Sequence, residues 1–146
     1  MSSAITRNSQ TEAETLRKSS DGCFTGWLCD ADVAKSIMRK SAPDAYLESY
    51  PRNRATSLNT WLFRFYLYSN GMFFELDRYG SVLAKDLIKY SNNSRGYLVR
   101  IDGTRCGDKI RVTSVSEITK ESALHDPDFV RYSQQQLRGE FARMNI

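Results

Sequence analysis

The sharpest hydrophobic pattern in the chain lies at positions 61–77. Trp61-Leu62-Phe63-Arg64-Phe65-Tyr66-Leu67-Tyr68-Ser69 and Met72-Phe73-Phe74-Glu75-Leu76-Asp77 are both rich in β-prone aromatic and aliphatic residues, and Asn70-Gly71 separates them. Such a pair of residues between two such runs predicts a hairpin closed by a type I′ turn, because both central positions need positive φ. A two-residue turn also fixes the register. Ser69 faces Met72, Tyr68 faces Phe73, Leu67 faces Phe74, Tyr66 faces Glu75, Phe65 faces Leu76 and Arg64 faces Asp77. Phe65, Leu67, Phe74 and Leu76 then share a core face. Arg64, Tyr66, Tyr68, Phe73, Glu75 and Asp77 share an amphipathic outer face, on which Arg64 and Asp77 read as a cross-strand charge pair.

Other segments carry weaker versions of the same signals. Cys23-Phe24-Thr25-Gly26-Trp27-Leu28-Cys29-Asp30 is β-prone with an internal glycine, as a bulged or sharply bent barrel strand requires. Val33, Ile37 and Met38 have helical spacing, but Pro43 and Pro51 interrupt it, so 31–60 reads as one short helix and a long connection with Arg52-Asn53-Arg54 exposed. Ser81 is placed to cap a helix through Tyr90 that sets Leu83, Leu87 and Ile88 on one side, with Asn92-Asn93 as a left-handed stop. Tyr97, Val99 and Ile101 alternate inward against Leu98 and Arg100. After a turn containing Gly103, Gly107 and Asp108, Ile110 and Val112 point in while Arg111 and Thr113 point out. Asp126-Pro127 opens a C-terminal helix through Arg143 with an apolar stripe of Val130, Leu137, Phe141 and Met144.

Strand, long connection, hairpin, helix and hairpin is the order of an oligonucleotide/oligosaccharide-binding (OB) barrel, where a helix between strands 3 and 4 plugs the barrel. The expected fold is therefore mainly β: a five-stranded OB-like β-barrel with that helix and an appended C-terminal helix. An SH3-like barrel or a small α+β sheet is the competing architecture. Residues 1–22 hold too little apolar surface to offset the entropy of ordering and read as a flexible arm; 23–117 is the barrel domain and 118–146 the helical extension.

Composition adds limits rather than a function. At 146 residues and 40% hydrophobic content the chain suits one core. Lys and Arg outnumber Asp and Glu by 21 to 17, a formal charge of +4 that permits anionic partners without requiring them. The sequence contains no apolar stretch long enough to span a membrane and no signal-peptide core, so the reading is cytoplasmic, with export as the alternative had a leader been removed. Cys23, Cys29 and Cys106 lack C-x-x-C spacing and His125 is the sole histidine, so neither a metal nor a cofactor is expected. Export would open a Cys29–Cys106 or Cys23–Cys29 disulfide; otherwise the thiols are small half-buried residues.

Phe24-Thr25-Gly26-Trp27-Leu28-Cys29-Asp30, then Gly71 to Asp77, then the Leu98-to-Val115 run with Asp102-Gly103-Thr104 and Gly107-Asp108-Lys109-Ile110, resemble motifs of small bacterial OB-like β-barrel domains of uncharacterised function. About 80 residues take part in that likeness. Since its motifs are turns and core strands, the resemblance implies a barrel and says little about activity. Such domains commonly carry further cysteines and an export signal; this chain has Val33 in place of one of those cysteines and none in 31–60.

Nothing in the sequence anchors catalysis. There is no phosphate-cradling glycine loop, no nucleophile elbow and no H-E-x-x-H, and Asp30, Asp32, Asp44 and Glu48 read as solvated loop acids. The leading expectation is a non-enzymatic interaction module that binds a protein partner or a second copy through the outer aromatic face and the C-terminal helix. The alternative is single-stranded nucleic-acid binding on the outer barrel face, with bases stacked on rings and arginines on phosphates. Both place Arg64, Tyr66, Tyr68, Phe73, Arg100 and Arg111 at the binding surface.

Overall fold

The computed structural model describes residues 19–126. Five strands close into a barrel: β1 (Ser19–Asp30), β2 (Phe65–Ser69), β3 (Met72–Leu76), β4 (Leu98–Cys106) and β5 (Lys109–Glu117). Their order is β1-β2-β3-β5-β4, with β4 returning to β1. Every pair is antiparallel except β3 with β5, which close the barrel in parallel. Helix α4 (Arg78–Tyr90) fills the connection between β3 and β4. The architecture is the expected OB-like barrel.

The β2–β3 hairpin has the predicted register from Tyr66 opposite Glu75 to Ser69 opposite Met72. Asn70 at φ 48° and Gly71 at φ 81° supply the two left-handed positions of the turn. Phe65, Leu67, Phe74 and Leu76 are all buried, as are Val99 and Ile101 from β4 and Ile110 and Val112 from β5. A period-two pattern with one face in a closed barrel leaves no other register that buries this set.

The long strand β1 serves two neighbours. Its Ser19-to-Trp27 portion pairs with β4 and its Trp27-to-Asp30 portion pairs with β2. Gly26 sits at the crossover, where a Cβ would lie 2.0 Å from the Tyr68 carbonyl oxygen. Only the absence of a side chain lets the two strands approach there. Ser19 to Gly22 already pair with Cys106 to Gly103, so 19–22 belong to the sheet although their composition reads as an arm.

Several local expectations are corrected. Asp77, not Ser81, caps α4: its Oδ1 accepts from Gly80 N at 2.9 Å and from Val112 N at 3.3 Å. Ser81 is buried one turn later, its hydroxyl accepting from Phe65 N at 2.9 Å. The pairing of Arg64 with Asp77 therefore gives way to a cap, and Arg64 donates to the Thr60 carbonyl instead. Helix α4 ends on an extended Ser91 rather than on a left-handed Asn92 or Asn93. Gly103 lies inside β4 at a register shift, leaving the β4–β5 turn to Gly107 and Asp108.

Between β1 and β2 the chain forms α1 (Ala31–Ile37), α2 (Pro43–Leu47) and α3 (Arg52–Thr56), three short helices where one was expected. Arg52 and Arg54 do not simply face water. Arg52 donates to the Ser91 and Asn93 carbonyls, and Arg54 meets a buried carboxylate described below. All three cysteines are free thiols, Cys29 buried and the other two exposed. Along a strand rising about 3.3 Å per residue, Cys23 and Cys29 lie roughly 20 Å apart. Cys106 pairs opposite Ser19, further still from Cys29. A disulfide needs Cα atoms within about 7 Å, so neither of the two pairings fits. Among the described residues a short helix, α5 (Lys120–Ala123), follows β5; positions 1–18 of the expected arm and the stripe from Val130 to Met144 lie outside the described residues.

Candidate binding surface

Trp61, Leu62 and Phe63 do not extend the hairpin. Strand β1 ends at Asp30, which pairs with Phe65, so no neighbour remains for the residues before β2. Asn59 turns the chain instead: its Oδ1 accepts from Trp61 N at 2.9 Å, and its carbonyl accepts from Leu62 N and Phe63 N at 3.1 and 2.9 Å. Asparagine side chains close such local turns readily. The result is a turn held by three hydrogen bonds that presents Trp61 at 70% and Leu62 at 75% exposure, with Phe63 also exposed.

Two contacts tie this turn to α4. The Arg78 guanidinium carbon stands 4.4 Å from the Trp61 ring centroid, and Lys85 Nζ donates to the Leu58 carbonyl at 2.6 Å. A guanidinium over an indole face is a favourable electrostatic contact. Tyr79 and Val82, exposed on the same helix, follow Arg78 along its first turns.

Of the six residues read from sequence as a binding face, two share an open cavity and two others pack together toward the interior. Arg64 and Arg111 line a cavity of about 440 Å³ with Arg78, Lys109, Glu75 and Asp77. Tyr66 is half-buried opposite Glu75, and its phenol is pushed up by burial and then by the charges of Glu75 and Asp108. Tyr68 is only 3% exposed; it packs beside Phe73, with ring centroids 4.7 Å apart, and opposite Trp27. Tyr68 belongs to the hydrophobic interior, and Phe73 is half-buried against it. Arg100 is exposed on β4 between Thr25 and Ser116 and is not part of the cavity. The outer face of the hairpin is thus largely covered, whereas Trp61 and Phe63 just before it are open.

A second cluster holds the connection to the barrel. Asp30, 1% exposed, accepts from Tyr50 Oη at 2.7 Å, from Arg54 Nε at 2.7 Å and, as the α1 cap, from Val33 N at 3.0 Å. Burial pushes its carboxyl up, but the hydrogen bonds from Arg54, Tyr50 and Val33 and the nearby Arg54 charge outweigh that and hold it below the ordinary range. Burial first, then Asp30, drives the Tyr50 phenol upward. Asp30 is therefore not a solvated loop acid. Its three donors leave no open position for a substrate, which makes the cluster a structural clasp.

The sequence does not single out Trp61, Leu62 and Phe63 as a turn because their composition matches the strand that follows. Asn59 just before them is the available signal. Comparisons with protein-family models, with curated proteins and with solved structures give no match for this chain.

Proposed function

We propose that this protein is a non-enzymatic interaction module that engages a protein partner through the 59–63 turn and the adjoining first turns of α4. The observation that carries this reading is a fixed turn that holds a tryptophan and a leucine largely in water. An aromatic side chain carries roughly 150–250 Å² of surface, so Trp61 alone leaves over about 100 Å² to be covered. Side chains of this kind, held in place before binding and rimmed by arginine, are the usual anchors of protein interfaces. Arg64 and Arg78 beside the turn favour a partner with acidic residues around an apolar pocket.

The bacterial barrel likeness supports the fold of this module but not its task. The motifs that carry it build the β1 crossover, the hairpin and the β4–β5 turn. The nucleic-acid alternative loses its stacking platform with Tyr68 buried and Phe73 and Tyr66 half-buried. A photo-reactive residue at position 62, with one at the exposed position 113 as control, tests the proposal in living cells. Covalent protein adducts at 62 that vanish with Trp61→Ser support it. Equal adducts at both positions, or none at 62, contradict it.

A further inference from the structure

The cavity beside the turn has an unusual electrical balance. Four cations line it, Arg64, Arg78, Lys109 and Arg111, against two carboxylates, Glu75 and Asp77. Both carboxylates are already engaged. Asp77 accepts from two backbone N–H groups, Gly80 and Val112, and Glu75 lies 3.8 Å from Lys109. Among the described residues no carboxylate forms an ion pair with Arg64, Arg78 or Arg111. The lining carries a net formal charge of +2, four cations against two carboxylates, inside one concavity.

The fold has gathered the four cations from three places. Arg64 precedes β2, Arg78 opens α4, and Lys109 and Arg111 alternate along the start of β5. The parallel β3–β5 closure brings them together: Glu75 N donates to the Asp108 carbonyl at 2.8 Å and Asp77 N to that of Ile110 at 3.2 Å. Like charges so placed make a positive potential in the concavity, which favours an anion there.

From this geometry we infer that the cavity between β3, β5 and the start of α4 is a binding site for a phosphate group. Guanidinium forks match the oxygens of a phosphate two at a time, which an ammonium does not, and three of the four cations are arginines. A charge of about −2 on a phosphate monoester at neutral pH balances the surplus. Trp61 does not line the cavity but touches it through Arg78, whose guanidinium lies over its ring, so its fluorescence can report a ligand that engages Arg78. The site recognises the phosphate itself, carried by inorganic phosphate, a mononucleotide or a nucleic-acid strand.

Titration of the ¹⁵N-labelled protein with inorganic phosphate, with adenosine monophosphate and with a thymidine oligonucleotide tests the site and names the source. Saturable shifts at the side-chain Nε signals of Arg64, Arg78 and Arg111, with affinity about 10-fold weaker in Arg78→Gln or Arg111→Gln and unchanged in Arg100→Gln, are expected. Tighter binding of the mononucleotide with quenching of Trp61 assigns a nucleotide; equal binding without quenching assigns phosphate alone. Oligonucleotide binding that exceeds both and falls steeply with salt assigns a strand. Shifts spread evenly over surface cations including Arg39 and Arg100, equal response to chloride, or full affinity in the Arg78→Gln/Arg111→Gln double variant overturns the inference. Thermal unfolding of each variant guards against misfolding, and an unfolded variant is replaced by Arg78→Lys, which keeps the charge and loses the fork.

Discussion

Replacing Asp30 with alanine removes the acceptor on which three parts of the connection converge, and the structure lets each loss be weighed separately. The α1 cap goes first, at about 1 kcal/mol. Tyr50, 2% exposed, keeps its hydroxyl buried without an acceptor, which costs about 1–3 kcal/mol. Arg54 is different: its side chain is 45% exposed, so water replaces the carboxylate and the ion pair itself contributes only a few tenths of a kcal/mol. The sum for Asp30→Ala is about 2–4 kcal/mol, and for Tyr50→Phe about 1 kcal/mol, since that variant removes donor and leaves a carboxylate with two partners. Urea unfolding followed by circular dichroism measures both. A loss under about 0.5 kcal/mol for Asp30→Ala would refute the reasoning, because that is the usual range for a surface residue that caps nothing and a buried clasp must exceed it.

The same carboxylate predicts a pH dependence. Its folded pKa lies below the unfolded value of about 3.9, so its contribution is complete above that value and is lost as pH falls through the lower, folded one. Stability of the parent protein should therefore drop across that acid range, and Asp30→Asn should flatten the drop; identical acid limbs would contradict the assignment. Gly26→Ala forces a methyl group to within 2.0 Å of the Tyr68 carbonyl and should cost more than about 3 kcal/mol or abolish folding, read by the loss of the cooperative unfolding transition. Asp77→Ala strips the α4 cap and the acceptor for Val112 N together and should cost about 2 kcal/mol in urea unfolding, against about 0.5 kcal/mol or less for the exposed Asp86→Ala. A thiol reagent at pH 8 should modify Cys23 and Cys106 in the native protein and reach Cys29 only on unfolding, because burial encloses Cys29 and pushes its thiol up. Rapid modification of three thiols would show that β1 is not packed as described.

The barrel was legible in the chain because it rests on local rules with few alternatives. Asn70-Gly71 fixed the hairpin register, and the alternation assigned Val99, Ile101, Ile110 and Val112 to the core and Arg100, Arg111 and Thr113 to the outside; Leu98, read as outward, is instead buried, since both faces of the sheet are covered where β1 and β4 meet the chain that follows β5. What could not be read depended on partners distant in sequence. Trp61 to Phe63 carry strand composition, but β1 stops at Asp30 and gives them nothing to pair with. Asp30 reads as a loop acid until Tyr50 and Arg54, 20 and 24 residues on, fold over it. Tyr68 has the alternation of an outer residue, and a closed, strongly coiled barrel nevertheless buries it beside Phe73 and Trp27. The cation cavity needs the parallel β3–β5 junction, which no pairing of neighbouring segments announces.

The interaction surface stands or falls with Trp61 being both open to water and held still. Its indole N–H, distinguished from that of buried Trp27 by a Trp61→Phe variant, reports both properties in one NMR experiment: solvent exchange and the heteronuclear ¹H–¹⁵N Overhauser effect. Fast exchange together with an Overhauser ratio as high as that of the β2 and β3 backbone is the predicted result. Slow exchange, or a ratio typical of a loose chain end, would contradict a preformed anchor.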